Sequence, residues 1–287
     1  MKIRIISGLV GTVILLAVLL CPWTWVFTLA AAAAAAIAVY ELLHNTGIVK
    51  NAPLLVGSMS FAAAEIVVGV HAVTWANALW VSRTVPFFLV TLLKTLPLAL
   101  FPIYLLFALC LFAWHRQSFV WKGFGLTVYA TAGFLSLAVL RNSSVFGLVY
   151  VLLPLIIAWM SDTGAYFVGS FFGKHKMAPV ISPKKTWEGF FGGWVISVAL
   201  TALFAVICNA CIPWHSSLRI SVGLFAVLAA VLAPLSVVGD LLASLIKRRR
   251  GIKDYGHIMP GHGGVMDRFD SVVFIAPLVV VALMLFG

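Results

Sequence analysis

Acidic side chains are scarce in this 287-residue chain: eight Asp and Glu in all, against nineteen Lys and Arg. Charged residues of both signs make up only 9%, where a soluble domain carries about 25%. With 63% hydrophobic residues and a mean hydropathy of +1.13, that shortage excludes a water-soluble globular protein and places the chain in a bilayer. Four cysteines are too few for a disulfide framework. Cys208 and Cys211 form one C-x-x-C, but no second ligand pair accompanies it, and they read as small residues of an apolar helix. No basic module interleaved with aromatics argues for nucleic acid. A Ser-His-Asp arrangement, an internal repeat, a linker and a soluble domain are all missing as well.

What is present is a series of apolar runs. A transmembrane helix needs about 20 apolar residues. That ruler predicts an all-α integral membrane protein, a polytopic bundle of about nine transmembrane helices. The spans fall near 3–20, 24–42, 53–71, 87–113, 124–140, 145–161, 189–211, 220–246 and 270–287. The fourth is interrupted by Lys94, Pro97 and Pro102. The first starts at Lys2 and Arg4 and reads as a span, not a cleaved signal, because no A-x-A-like site follows it. The run Ala30–Ala36 gives one helix a narrow face for close packing. Trp23, Trp25, Trp75, Trp80, Trp114 and Trp121 fall near span ends, as interfacial anchors do.

Basic residues set the orientation. With the N-terminus cytosolic, inner segments hold Lys2, Arg4, Lys50, Arg116, Lys122, Lys174, Lys176, Lys184, Lys185, Lys247, Arg248, Arg249, Arg250, Lys253 and Arg268. Only Arg83, Lys94, Arg141 and Arg219 fall elsewhere. An odd number of spans then puts the C-terminus on the outer side. The acids divide unevenly too. Asp162, Glu188, Asp240, Asp254, Asp267 and Asp270 fall at the cytosolic ends of the last helices, and only Glu41 and Glu65 lie in the first half. Residues 1–140 therefore read as transmembrane scaffold, and 145–287 as a catalytic region facing the cytosol.

The stretch Ser244–Asp270 gathers carboxylates, cations and glycines, which is what a metal-assisted phosphate site needs. Asp240, Ser244, Lys247 and Arg248 form one helical stripe. An acid at the end of a span is usually functional, so Asp240 is a candidate metal ligand; pairing with Lys247 is the plainer alternative. Asp267 and Asp270, spaced i,i+3, share a helix face. Helix capping explains one of them well and the pair poorly, so both are candidate Mg²⁺ ligands beside Asp240. His262, Gly263 and Gly264 form a turn whose bare amides suit a phosphate; alone they read more simply as a flexible turn, and the basic run and acid pair on either side give the phosphate reading its weight. Lys247, Arg248 and Lys253 are candidate phosphate contacts, whereas Arg249 and Arg250 read as a topological stop. Upstream, Asp162 ends one span. Ser182, Lys185, Thr186 and Glu188 open the next and suit a triphosphate, while capping alone would suit Thr186 and Glu188.

The pattern S-x-I-K-R-x4-K-D-x-G-x2-M-P-x-H-G-G-V-x-D-R-F-D in this stretch resembles the signature of the phosphatidate cytidylyltransferase (CDP-diacylglycerol synthase) family. Ser161–Tyr166 and Ser182–Gly189 resemble its further fingerprints, so the resemblance covers roughly residues 145–287. Met259, before Pro260, departs toward a softer apolar residue. The resemblance implies transfer of CMP from CTP to phosphatidate, giving CDP-diacylglycerol and pyrophosphate for phospholipid synthesis. It implies Mg²⁺, with a second cation as an extension of that expectation. It also implies a multi-pass protein of the bacterial inner membrane, and partners that are membrane lipids and no nucleic acid. Asp240, Asp267, Lys247, Arg248, Lys253 and Arg268 then carry the chemistry, and Asp162, Ser182, Lys185, Thr186, Glu188, Ser244, His262, Gly263 and Gly264 bind substrate. Gly- and Ala-rich faces are compatible with a homodimer. Three other readings stand beside this one: a CTP-dependent lipid-alcohol kinase or related nucleotidyltransferase, a CDP-alcohol phosphotransferase, and a transporter. The second expects a D-G-x2-A-R frame that the chain lacks. The third expects midplane charges in related halves.

Overall fold

A computed structural model of the chain describes residues 2–21, 23–82, 100, 102–111, 119–143, 146–211, 219–261 and 263–286. The helices are α1 (Lys2–Leu20), α2 (Thr24–Tyr40), α3 (Ala52–Ser82), α4 (Pro102–Leu111), α5 (Phe119–Asn142), α6 (Gly147–Phe172), α7 (Trp187–Cys211), α8 (Val222–Arg249) and α9 (Met266–Phe286). Helix α2 continues as a single π-helical turn, Glu41–Asn45. A short antiparallel hairpin, β1 (Lys176–Ala178) and β2 (Ser182–Thr186), separates α6 from α7.

The all-α membrane reading holds. Among the described residues, seven helices are long and apolar enough to cross a membrane, while α1 and α4 contribute shorter apolar stretches. Most of the span expected at 87–113 lies outside the described residues, as do Trp114 and the side chains of Trp75 and Trp80. Large apolar side chains such as Phe191, Val195, Leu203 and Val206 on α7 are exposed. In water such a face would be an aggregation liability, whereas lipid solvates it.

The chain divides into two compact units, Met1–Leu148 with Arg250–Phe269, and Val149–Arg249 with Asp270–Gly287. In the first, α2, α3 and α5 pack on one another. Ala31, Ala32, Ala35 and Ala38 are all buried, so the alanine run provides the close-packing face expected of it. In the second unit α7 packs on α8. Helices α6 and α7 meet along a glycine seam: a side chain on Gly193 would collide with the carbonyl of Ser161, and one on Gly189 would press on Gly169 and Thr186. Ser197 Oγ donates to the Ile157 carbonyl across the same seam at 2.9 Å. Close approach at Gly239, whose Cβ would lie 2.7 Å from Phe274 Cβ, sets α8 against α9. Cys208 and Cys211 are free thiols of α7.

Candidate active site

In the second unit the packing just described gathers three carboxylates. The α6–α7 seam positions Asp162, and the Gly239 crossing brings Asp240 beside Asp270, which is buried to 7% exposure. Asp240 interacts electrostatically with both Asp162 and Asp270. Lys185, from β2, places Nζ 2.5 Å from Asp240 Oδ2, and Ser244, one turn along α8, donates weakly to Asp240 Oδ1 at 3.4 Å. Lys247 Nζ lies 3.8 Å from Asp270 Oδ2. Ser271 donates its backbone N–H to Asp270 Oδ1 at 2.8 Å and its hydroxyl to Asp162 Oδ2 at 3.3 Å. If all ionise, these three acids face two ammonium groups and one negative charge stays uncompensated.

A cavity of about 270 Å³ opens beside this cluster, lined by Asp162, Tyr166, Ser182, Lys184, Lys185, Thr186 and Asp240 among others. Small-molecule sites run from about 300 to 1,000 Å³, so the space has the size of part of a small ligand. The hairpin that supplies its basic wall is fastened at its base. Thr186 Oγ1 accepts from the Gly189 amide at 3.2 Å and caps α7. Glu188 accepts from the amides of Lys174 and His175 and pairs with His175 Nδ1 at 2.6 Å. Asp162, Ser182, Lys185 and Thr186 thus meet at the cavity as a set. Glu188 and Ser244 are not among the lining residues; Ser244 contacts one that is, Asp240, whereas Glu188 holds Lys174 and His175 at the base of the hairpin. Arg248 is exposed and makes a long contact, 3.5 Å, with the Ile181 carbonyl.

In the first unit the signature loop 250–265 is closely tied. Asp267 Oδ2 accepts from the amides of Tyr255 at 2.7 Å and Gly264 at 3.0 Å. The Gly264 amide, expected to meet a phosphate, is therefore taken up by Asp267. Gly263 has a φ of +85°, where a side chain would be strained and would also press on Asp267. Asn45 donates to the Tyr255 carbonyl at 2.7 Å, and Ser7 to the Pro260 carbonyl at 2.7 Å. Lys253 and Arg268 are exposed. His262 lies outside the described residues.

Sequence reasoning missed Glu41. It is 1% exposed and accepts from the amides of Val265 at 3.1 Å and Met266 at 2.8 Å. A carboxylate inside an otherwise apolar run was the one signal available.

Among the described residues no group of three His, Cys, Asp or Glu side chains is set to ligate one metal ion. The donor chemistry around Asp240 nonetheless fits Mg²⁺, which binds through one or two carboxylates and fills its remaining positions with waters and substrate phosphates.

The sequence profile of the cytidylyltransferase family matches residues 2–286. The phosphatidate cytidylyltransferase of Bacillus subtilis (strain 168) is 32% identical over 290 residues, covering 100% of this chain and 99% of its own length. That of Staphylococcus saprophyticus is 32% identical over 282 residues, 97% of each chain. A Staphylococcus epidermidis protein of the same name reaches 40% over 166 residues, 57% of this chain and 60% of its own. Acids of apolar helices grouped with lysines, and relatives that match from end to end, lead to one conclusion: the chain belongs to the cytidylyltransferase family, as a membrane-spanning nucleotidyltransferase.

Proposed function

We propose that the protein transfers CMP from CTP to phosphatidate, releasing pyrophosphate and forming CDP-diacylglycerol, at the cytosolic face of a bacterial inner membrane. The observation that carries this reading is the second-unit cluster, in which Lys185 and Lys247 stand against Asp162, Asp240 and Asp270 beside a cavity sized for part of a small ligand. The names of the end-to-end relatives supply the acceptor. The strong bias of basic residues toward one set of loops supports the cytosolic orientation.

A phosphatidate phosphate oxygen attacks the α-phosphorus of CTP. The bond from that phosphorus to the bridging oxygen of the β-phosphate breaks, and pyrophosphate departs with the electron pair. The attacking oxygen is already ionised at neutral pH, so no protein base is needed. The difficulty is bringing two anions together. Lys184 and Lys185 meet the triphosphate at the cavity wall. Asp240 orients Lys185 until phosphate competes for the ammonium, and preorganised cations then stabilise the charge developing on the leaving group. Asp240 and Asp270, with Asp162 beside them, would hold Mg²⁺, which supplies charge neutralisation at the phosphates. Asp267, Arg248, Lys253 and Arg268 join the proposal on the strength of the fingerprint.

Purified protein given CTP and phosphatidate should release pyrophosphate in a Mg²⁺-dependent manner, and Asp240→Asn should abolish release while the protein remains folded. Undiminished turnover in that variant would remove Asp240 from the machinery.

A further inference from the structure

Glu41 opens the π-helical turn that continues α2, far in sequence from every fingerprint, yet its carboxylate is the cap of α9. Helix α9 begins at Met266, and the acid of its first turn, Asp267, turns back to the amides of Gly264 and Tyr255. Glu41 caps the helix from 224 residues away. Oε1 accepts from Val265 and Oε2 from Met266, so one carboxylate satisfies two consecutive amides at a helix start, where a negative charge is favoured. The fit is close on all sides. A side chain on Gly264 or on Gly256 would collide with the Glu41 carboxyl group. Asn45, one turn on, takes the Tyr255 carbonyl. Both groups project from the π-helical turn Glu41–Asn45, a local widening often found at functional positions.

We infer that Glu41 is a positioning residue: through Val265, Met266 and Gly264 it fixes the loop that carries Lys253, Asp267 and Arg268. Its part in turnover rests on the reaction proposed above. Glu41→Gln retains size and burial. One of its two oxygens becomes an NH₂ group, however, which must face a backbone N–H, so one bond is replaced by a donor meeting a donor and the other loses its charge assistance. Glu41→Asp retains the charge but is one methylene shorter.

The experiment measures steady-state kinetics with CTP and phosphatidate, and amide hydrogen exchange over residues 256–268, in Glu41→Gln, Glu41→Asp and Gly264→Ala. Glu41→Gln should lower kcat at least about tenfold. KM for CTP should stay within about twofold, because Glu41 is not among the residues lining the cavity. Exchange at Val265 and Met266 should quicken by about tenfold or more, with Glu41→Asp intermediate in both readouts. Gly264→Ala should reproduce the kcat loss, and adding it to Glu41→Gln should worsen kcat by less than about twofold, since both break one clamp. Wild-type exchange in Glu41→Gln, additive losses in the double variant, or activity falling only in step with the folded fraction would each overturn the inference. The exchange measurement needs no substrate. An inactive wild type would therefore sink the proposed reaction while leaving the clamp to be judged by exchange alone.

Discussion

Replacing Lys185 with Met removes the ammonium that sits 2.5 Å from Asp240 while retaining much of the apolar stem. The two side chains are only 20% and 22% exposed, so water screens the pair poorly. Asp162, Asp240 and Asp270 would then face Lys247 alone, and the formal imbalance would grow from one negative charge to two. Unit charges 4 Å apart interact by about 4 kcal/mol at an effective dielectric of about 20, enough to destabilise this unit measurably. A divalent cation should offset part of that loss. Added Mg²⁺ should raise the thermal midpoint of Lys185→Met more than that of the wild type, because a ligand at about 100 times its Kd stabilises by about 2.7 kcal/mol. Turnover should suffer as well. A hydrogen bond to a charged group contributes about 1.5–3 kcal/mol, which predicts a fall of roughly 10- to 150-fold. The assays are pyrophosphate release and thermal unfolding in detergent over a Mg²⁺ titration. Near-normal turnover together with a midpoint indifferent to Mg²⁺ would refute both the phosphate role of Lys185 and the cation site.

Further outcomes follow from the same geometry. Asp270→Asn should lower pyrophosphate release at least about 100-fold, with its thermal midpoint still showing a cooperative transition. Gly193→Ala drives a methyl group into the Ser161 carbonyl and the Ala165 backbone. It should cost about 1–3 kcal/mol of stability, read as a lower thermal midpoint. Glu188→Ala frees the hairpin base held through Lys174 and His175, so KM for CTP should rise while kcat is largely spared.

Spans were the most legible feature, because lipid demands long uninterrupted apolar runs and the chain supplies them. Asp240 and Asp270 were legible as acids in a chain nearly without them. The hairpin at 176–186 was not. Its strands are too short for alternation to emerge, and Pro183 within β2 reads as a break. Glu41 was hidden for a different reason. Its partners are backbone amides, which leave no trace in side-chain patterns, and they lie more than two hundred residues away. Gly264 could be read as a glycine but not as one pressed against that carboxylate. Asp267 was legible as a site acid, while its grip on two loop amides was not.

The fate of the α-phosphate tests the central claim most directly. CTP labelled at the α-phosphorus, incubated with the purified protein, Mg²⁺ and phosphatidate, should pass its label to a lipid carrying CMP, with one pyrophosphate released for each. Label remaining in free CDP, or entering lipid equally well without phosphatidate, would contradict the account.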